Sequence, residues 1–354
     1  MSNFSGFILI NKPSGPTSHD VINGLRRITG IRQIGHAGTL DPFASGLLLV
    51  GIGEATKLLR HFVGLDKKYE AVLKFGATSD TQDRTGKITI DNKQLTIDQK
   101  EIKKVLKSFI GKQKQIPPMF SAKKIGGEKL YDLARKGIAI EREAQTIKIY
   151  GLKLSKVKGQ MLHVNCHVSS GTYIRSLAHD IGQALGCGAY LEELKRTAIG
   201  DFKLKDAINA AKDNWRQHLI PLKTVLVSGT FDGVHEGHRN YFQQARAYGQ
   251  RLIAIVGRDK IVEQIKGKPP RYSEKERVHF VKQCPEIDRV YLGVLDNIFD
   301  FTASLKPDVI ALGYDQTAYT KNLAAEMKKR GLAVKIARLK PYLPEKYKSS
   351  LINR

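Results

Sequence analysis

Val227-Ser228-Gly229-Thr230-Phe231-Asp232-Gly233-Val234-His235-Glu236-Gly237-His238 reads as an apolar strand running into a short loop and the opening of a helix. Val225, Leu226 and Val227 supply the strand, and helical spacing resumes from Gly237 to Tyr248. Outward from this unit the alternation repeats. Strand-like runs at Leu252 to Val256, Val290 to Leu292, Val309 to Leu312 and Val334 to Ala337 are interleaved with helical stretches at Glu274 to Gln283 and Leu323 to Lys329. Strands separated by helices predict an α/β doubly wound parallel (Rossmann-like) sheet, whose ligands bind at the carboxyl ends of the strands. The quoted loop lies at such an end. A helix N-terminus offers free N–H groups and a partial positive charge, and His235 and His238 add donors, so a polyphosphate fits there. Two histidines also suit a metal, but no third ligand stands nearby at a zinc-like spacing, and no protein metal site is expected.

The first half has a different texture. Thr17 can cap a helix with Val21, Ile22, Leu25 and Ile28 on one face and Gly30 at its end. Tyr69 to Phe75 reads as a strand, and Asp98 with Glu101 as a capping pair before a helix bearing Ile102, Val105, Leu106, Phe109 and Ile110, which Gly111 ends. Met161 to Val168 alternates, and Thr172 to Leu185 is helical again. This mixture predicts an α+β domain with a mainly antiparallel sheet. The change of texture falls at Trp215, His218 and Pro221, giving a first domain over 1–213, a linker over 214–221 and a second domain over 222–354.

A chain of 354 residues is long enough for two such domains. With 41% hydrophobic and 26% charged residues, the composition excludes disordered, fibrous and membrane-spanning classes. Cys166, Cys187 and Cys284 form no Cys-x-x-Cys pair and predict neither disulfides nor a zinc site, and with no leader pattern at Met1 to Gly15 the expected location is cytoplasmic. The formal charge of +25 favours a polyanionic partner, nucleic acid first, although a general surplus of lysine gives the same number.

Motifs sharpen this. In the first half, Gly35-His36-Ala37-Gly38-Thr39-Leu40-Asp41-Pro42 presents a carboxylate on a glycine-flanked loop, with Pro42 fixing the backbone behind it. Asp before Pro is also the mark of an Asx-type turn. Around it, in order, stand Lys12-Pro13-Ser14-Gly15-Pro16-Thr17-Ser18, Lys68-Tyr69-Glu70, Gly76 to Asp83 with Gly86, Gln115 to Lys123, Leu130 to Arg135, Ser170 to Ala178 and Arg196-Thr197. Together these resemble the TruB-type tRNA pseudouridine synthases. The resemblance implies isomerisation of a T-loop uridine of tRNA (position 55) without a cofactor, with Asp41 acting on the ribose as nucleophile or by proton abstraction. It further implies that Arg175 pairs with Asp41, Tyr69 stacks on the extruded base, and His36 takes up the vacated space. Lys12, Arg32, Lys68 and Lys123 are expected at RNA phosphates. The small RNA-binding domain that usually closes these synthases is not expected after Phe202.

The second half resembles the cytidylyltransferase-like nucleotidyltransferases through its His-x-Gly-His motif. Lys268 to Arg277, Ile287 to Gly293, Leu312-Gly313-Tyr314-Asp315-Gln316 and Lys348 to Ile352 bring it nearest the archaeal-type FAD synthases. The resemblance implies attack of a substrate phosphate on the α-phosphorus of a nucleoside triphosphate, with Mg²⁺, ATP and FMN giving FAD and pyrophosphate. His235 and His238 would stabilise the developing charge. Thr230, Phe231, Arg277, Asp315, Ser349 and Ser350 would hold the nucleotide. Other readings are a CTP-dependent glycerol-phosphate cytidylyltransferase and a non-catalytic nucleotide-binding appendage of an RNA-binding protein.

Overall fold

Gly6–Lys12 and Ser45–Ile52 pair antiparallel over seven residues, and both are almost wholly buried, as apolar runs covered on two faces must be. The computed structural model describes residues 4–90, 98–121, 124–125, 127–135, 137–138, 140–209 and 214–347. The described residues divide into two compact units, 1–220 and 221–354.

The main sheet of the first unit runs Ile208–Asn209, Gly6–Lys12, Ser45–Ile52, Ala189–Ile199, Lys67–Phe75, Met161–Val168, Gln145–Lys158, Gly111–Gln115. Its pairings are mainly antiparallel. Two are parallel: Ala189–Ile199 beside Ser45–Ile52, and Ile208–Asn209 beside Gly6–Lys12. Helix Ser18–Thr29 opens with a capping box between Thr17 and Asp20 and ends on Gly30 at φ +69°. It buries Val21, Ile22 and Leu25 on one half of the sheet. Helices Gln99–Ser108 and Ile174–Ala184 cover the other half.

Three expectations are corrected here. Trp215 lies in the predicted linker, yet it is buried with Ile8 and Ile10 and stands edge-on to Phe4, so 214–220 belongs to the first unit. Asp98 caps the backbone of Lys100 without a reciprocal bond from Glu101 among the described contacts. Ile110 is exposed because the helix stops at Ser108 and Gly111 opens a strand.

In the second unit five strands pair in parallel in the order Arg289–Leu292, Arg251–Val256, Thr224–Gly229, Val309–Leu312, Lys335–Arg338. The order reverses beside the central Thr224–Gly229 strand, and helix Glu236–Arg246 leaves from its carboxyl end. Two short helices not expected from sequence, Asp259–Lys266 and Ile298–Ser304, complete the unit.

Candidate active sites

In the first unit, three segments converge on Asp41. Lys12, completely buried, donates its Nζ to the carbonyls of Pro13 (2.9 Å), Pro16 (2.7 Å) and Pro42 (3.2 Å). Ser18 Oγ and the Leu40 backbone exchange two hydrogen bonds, Gly15 N–H donates to Pro42 O, and Ser14 Oγ donates to Phe43 O. The Lys12 to Ser18 motif therefore grips the loop on either side of Asp41. Arg196, 1% exposed, also holds it, donating to the carbonyls of Leu47 (2.8 Å), Gly38 (3.0 Å) and Thr39 (3.4 Å). Gly46, at φ +105°, lets the two strands meet there, since a Cβ on it would collide with the Arg196 backbone.

Asp41 emerges from this grip with a third of its side chain exposed and meets Arg175 Nε at 2.9 Å. Arg175 is itself 5% exposed. Its Nη1 faces Asp83 at 3.3 Å and donates to Thr81 O, while Nη2 donates to Phe120 O. Asp83 is buried and accepts from Thr81 Oγ1 and from the backbone of Thr85, so it aims the guanidinium. Burial pushes the Asp41 carboxyl above its ordinary pKa, Arg175 pulls it back, and Asp83 adds to the rise. The result is an anchored carboxyl in a partly dry pocket beside a fixed cation, an arrangement suited to attack on carbon or to proton transfer.

The structure places the other expected residues unevenly. Tyr69 is half-buried and packs on the core cluster that contains Leu40, Phe43 and Ala44 of the Asp41 loop and Ile174 beside Arg175. His36, half-buried next to that loop, is pushed down by burial and by Arg196, which favours the neutral ring. Arg32 is exposed. Lys12 is corrected: with its ammonium buried on three carbonyls, it positions the loop and does not reach RNA. Lys68 is exposed, but strand alternation turns it away from the face that carries Tyr69. Lys123 lies outside the described residues. Asp83 and Arg196 stood within motifs without a role, because only the fold brings them to Asp41.

In the second unit, His235 is the N-cap of helix Glu236–Arg246, and its ring stacks on His238 with centroids 3.9 Å apart. Gly237 makes this possible: a Cβ there would stand 2.8 Å from Tyr347 O and 3.0 Å from the His235 ring. Both rings line a cavity of about 490 Å³ together with Thr230, Phe231, Lys266 and Asp315. The Gly313–Gln316 segment is fixed by Arg338, which donates to the carbonyls of Gly313, Tyr314 and Gln316, and by Gln316, which donates to Ser228 Oγ. Arg277 is corrected: completely buried, it donates to the carbonyls of Tyr272, Thr230 and Gly257 and pairs with Asp259, so it braces the loop that carries Thr230. Ser349 and Ser350 lie outside the described residues. Among the described residues no group of three His, Cys, Asp or Glu side chains is placed to hold a metal.

Burial first, and then His235, pushes the His238 pKa down to about 3. An unfolded histidine takes up its proton near the ordinary value of about 6.5, so the folded state loses stability as pH falls from there toward 3. His238 alone is expected to contribute about 1.4 kcal/mol per pH unit to the loss of the second unit's stability to urea through that window, and His238→Gln to lack this contribution. Parallel pH profiles for the two proteins would contradict it.

The chain thus presents two separate sites, an Arg-paired aspartate on a pinned loop of a mixed sheet and a pair of stacked histidines at a strand end of a parallel sheet. Residues 26–174 match the model for "TruB family pseudouridylate synthase (N terminal domain)", residues 175–226 that for "tRNA pseudouridylate synthase B C-terminal domain", and residues 226–354 that for "Cytidylyltransferase-like". The chain is 45% identical over 224 residues to tRNA pseudouridine synthase B of Thermosipho melanesiensis, covering 62% of this chain and 73% of that protein. It is 37% identical to the Alkaliphilus oremlandii protein of the same name, covering 84% of this chain and 99% of that one. Among solved structures, a Cbf5-Nop10-Gar1 complex aligns with TM-score 0.49 and 29% identity, over 62% of this chain and 63% of that one. The chain belongs to the tRNA pseudouridine synthase B family and carries a cytidylyltransferase-like domain behind it. The family likeness continues past Phe202, where the motifs alone end it. As far as Asn209, residues of the second matched segment complete the first unit's sheet.

No described helix is long and apolar enough to cross a membrane.

Proposed function

We propose that the first unit converts a T-loop uridine of tRNA (position 55) to pseudouridine, and that the second transfers a nucleotidyl group to a phosphate acceptor. The observation carrying the first assignment is the Asp41–Arg175 pair, held on a loop gripped from both sides. The glycosidic C–N bond breaks, the base turns, a C–C bond forms to the same ribose carbon, and the proton leaving the base carbon is balanced by one gained at nitrogen. Asp41 acts on the ribose, Arg175 keeps it ionised, Tyr69 stacks on the turned base and His36 fills the space the uridine leaves.

For the second unit, the stacked His235 and His238 in the lining of a largely apolar cavity support in-line transfer. An acceptor phosphate oxygen attacks the α-phosphorus, the bond to the β-phosphate bridge breaks, and pyrophosphate departs. Mg²⁺ would come with the triphosphate, held by phosphate oxygens and water, and would neutralise the leaving charge. ATP and FMN are the favoured substrates, because Ile261, Val262, Ile265, Phe299 and Tyr319 offer a flat apolar ring system more contact than glycerol phosphate can use. CTP with glycerol phosphate is the second reading, favoured by the family-level match.

The test is to incubate pure full-length protein with unmodified tRNA and, separately, with ATP and FMN or CTP and glycerol phosphate. Pseudouridine in the first and FAD with pyrophosphate in the second are expected. Product only from CTP would overturn the substrate choice. Absence of transfer from either pair would leave the second unit a nucleotide-binding appendage, and absence of pseudouridine would reduce the first to an RNA-binding fold.

A further inference from the structure

Among the described residues, helices Gln99–Ser108 and Ile174–Ala184 pack on one face of the sheet formed by Lys67–Phe75, Met161–Val168, Gln145–Lys158 and Gly111–Gln115. Ala71, Leu73, Leu162, Val164, Ile147 and Ile149 point into the core, and alternation turns their neighbours to solvent. On that open face one row crosses all four strands. Lys112 stands directly opposite Lys148, and Lys68 directly opposite His167. Between them Tyr150, 45% exposed at a bulge, lies 4.8 Å from the His167 ring, with Lys148 Nζ 5.0 Å above its own ring. Asp66 is hydrogen-bonded to the His167 ring.

Two lysines directly opposite each other on adjacent strands repel. Among the described residues, Lys68, Lys112 and Lys148 have no carboxylate partner, and the nearby Glu70 is engaged by Lys195 at 3.8 Å. A row of unanswered ammonium groups around an exposed aromatic ring is the arrangement that takes a nucleic-acid backbone with a base stacked between its phosphates. The row also begins at an edge. Among the described residues Gly111–Gln115 is the last strand of the sheet, so an RNA engaged at Asp41 on the covered face can pass around that edge to the open one.

We propose that this open face is a second RNA contact, in which Lys68, Lys112 and Lys148 bind phosphates and Tyr150 stacks on an unpaired nucleotide of the tRNA outside the loop that carries the target uridine. It rests on the reading of the first unit as a tRNA enzyme. It also gives Lys68 a role on the face where the fold puts it.

The test is filter binding by the full-length protein of whole unmodified tRNA and of an isolated T-arm stem-loop, across a range of salt concentrations. The variants are the triple Lys68→Ala, Lys112→Ala, Lys148→Ala and the single Tyr150→Ala. The triple variant is expected to bind whole tRNA about 10-fold more weakly or worse, with a salt dependence shallower by roughly two to three in log–log slope. Tyr150→Ala should weaken it about 5-fold or more. Stem-loop affinity should remain within about 2-fold in both. Whole-tRNA affinity and slope that match wild type would overturn the proposal, as would an equal loss on the stem-loop. If wild type itself binds no tRNA, the failure belongs to the reading of the first unit; if it binds and the variants bind alike, it belongs to this face. Removing a repelling pair leaves the thermal midpoint level or higher, so a variant that melts early would show that these lysines serve the fold and would also sink the proposal.

Discussion

Asp41→Asn is expected to lower pseudouridine formation by about 10,000-fold or more, the scale on which enzymes lose a covalent or proton-abstracting group. Asparagine has the shape of aspartate but neither its charge nor its nucleophilicity. The surroundings should hold, because Arg175 keeps Asp83, Thr81 O and Phe120 O, and the loop keeps Lys12 and Arg196. Affinity for tRNA should change by no more than a few-fold, since phosphate contacts supply most of it. Single-turnover release of tritium from C5-labelled uridine would measure the first effect and filter binding the second. Turnover within 10-fold of wild type would remove Asp41 from the chemistry.

The second large effect belongs to the histidine pair. His235→Ala and His238→Ala should each reduce nucleotidyl transfer by roughly 100- to 1,000-fold, the cost of losing one donor aimed at charge that grows in the transition state. Nucleotide affinity should fall far less, because such contacts strengthen only as the reaction proceeds. Release of labelled pyrophosphate, beside equilibrium binding of the triphosphate, separates the two. A loss confined to binding would make the pair a holder of ground-state phosphate. Pseudouridine formation in both variants should match wild type.

Much of this was legible in the sequence. Val225 to Val227 and Leu252 to Val256 read as buried strands because central strands of a parallel sheet are apolar throughout, and the Thr17 and Gly30 signals placed the first helix. Asp41 and Arg175 are legible together although 133 residues lie between them, through ordered motifs and not through local spacing. The failures have a common physical origin. Lys12 and Arg277 look like phosphate ligands because a cation near a reactive motif usually stays in water; each is instead buried and spends its donors on backbone carbonyls and, for Arg277, on Asp259, partners that only the folded chain supplies. Asp83 and Arg196 carry no local signal of their roles for the converse reason. Their task is defined by Arg175 and by the carbonyls of Gly38 and Leu47, none of which is near them in sequence. Helices Asp259–Lys266 and Ile298–Ser304 offer few turns over which a period can declare itself.

The grip on the Asp41 loop leaves it little freedom to adapt. Lys12, Arg196 and the close passage at Gly46 set the carboxyl before any RNA arrives. Accommodation must then fall on the nucleic acid, and substrates will be ranked by the work of lifting one nucleotide out of its stack. Among RNAs of equal affinity, those with a loosened loop around the target should be converted fastest, so that the enzyme's choice of site reads the local softness of the RNA as much as its sequence.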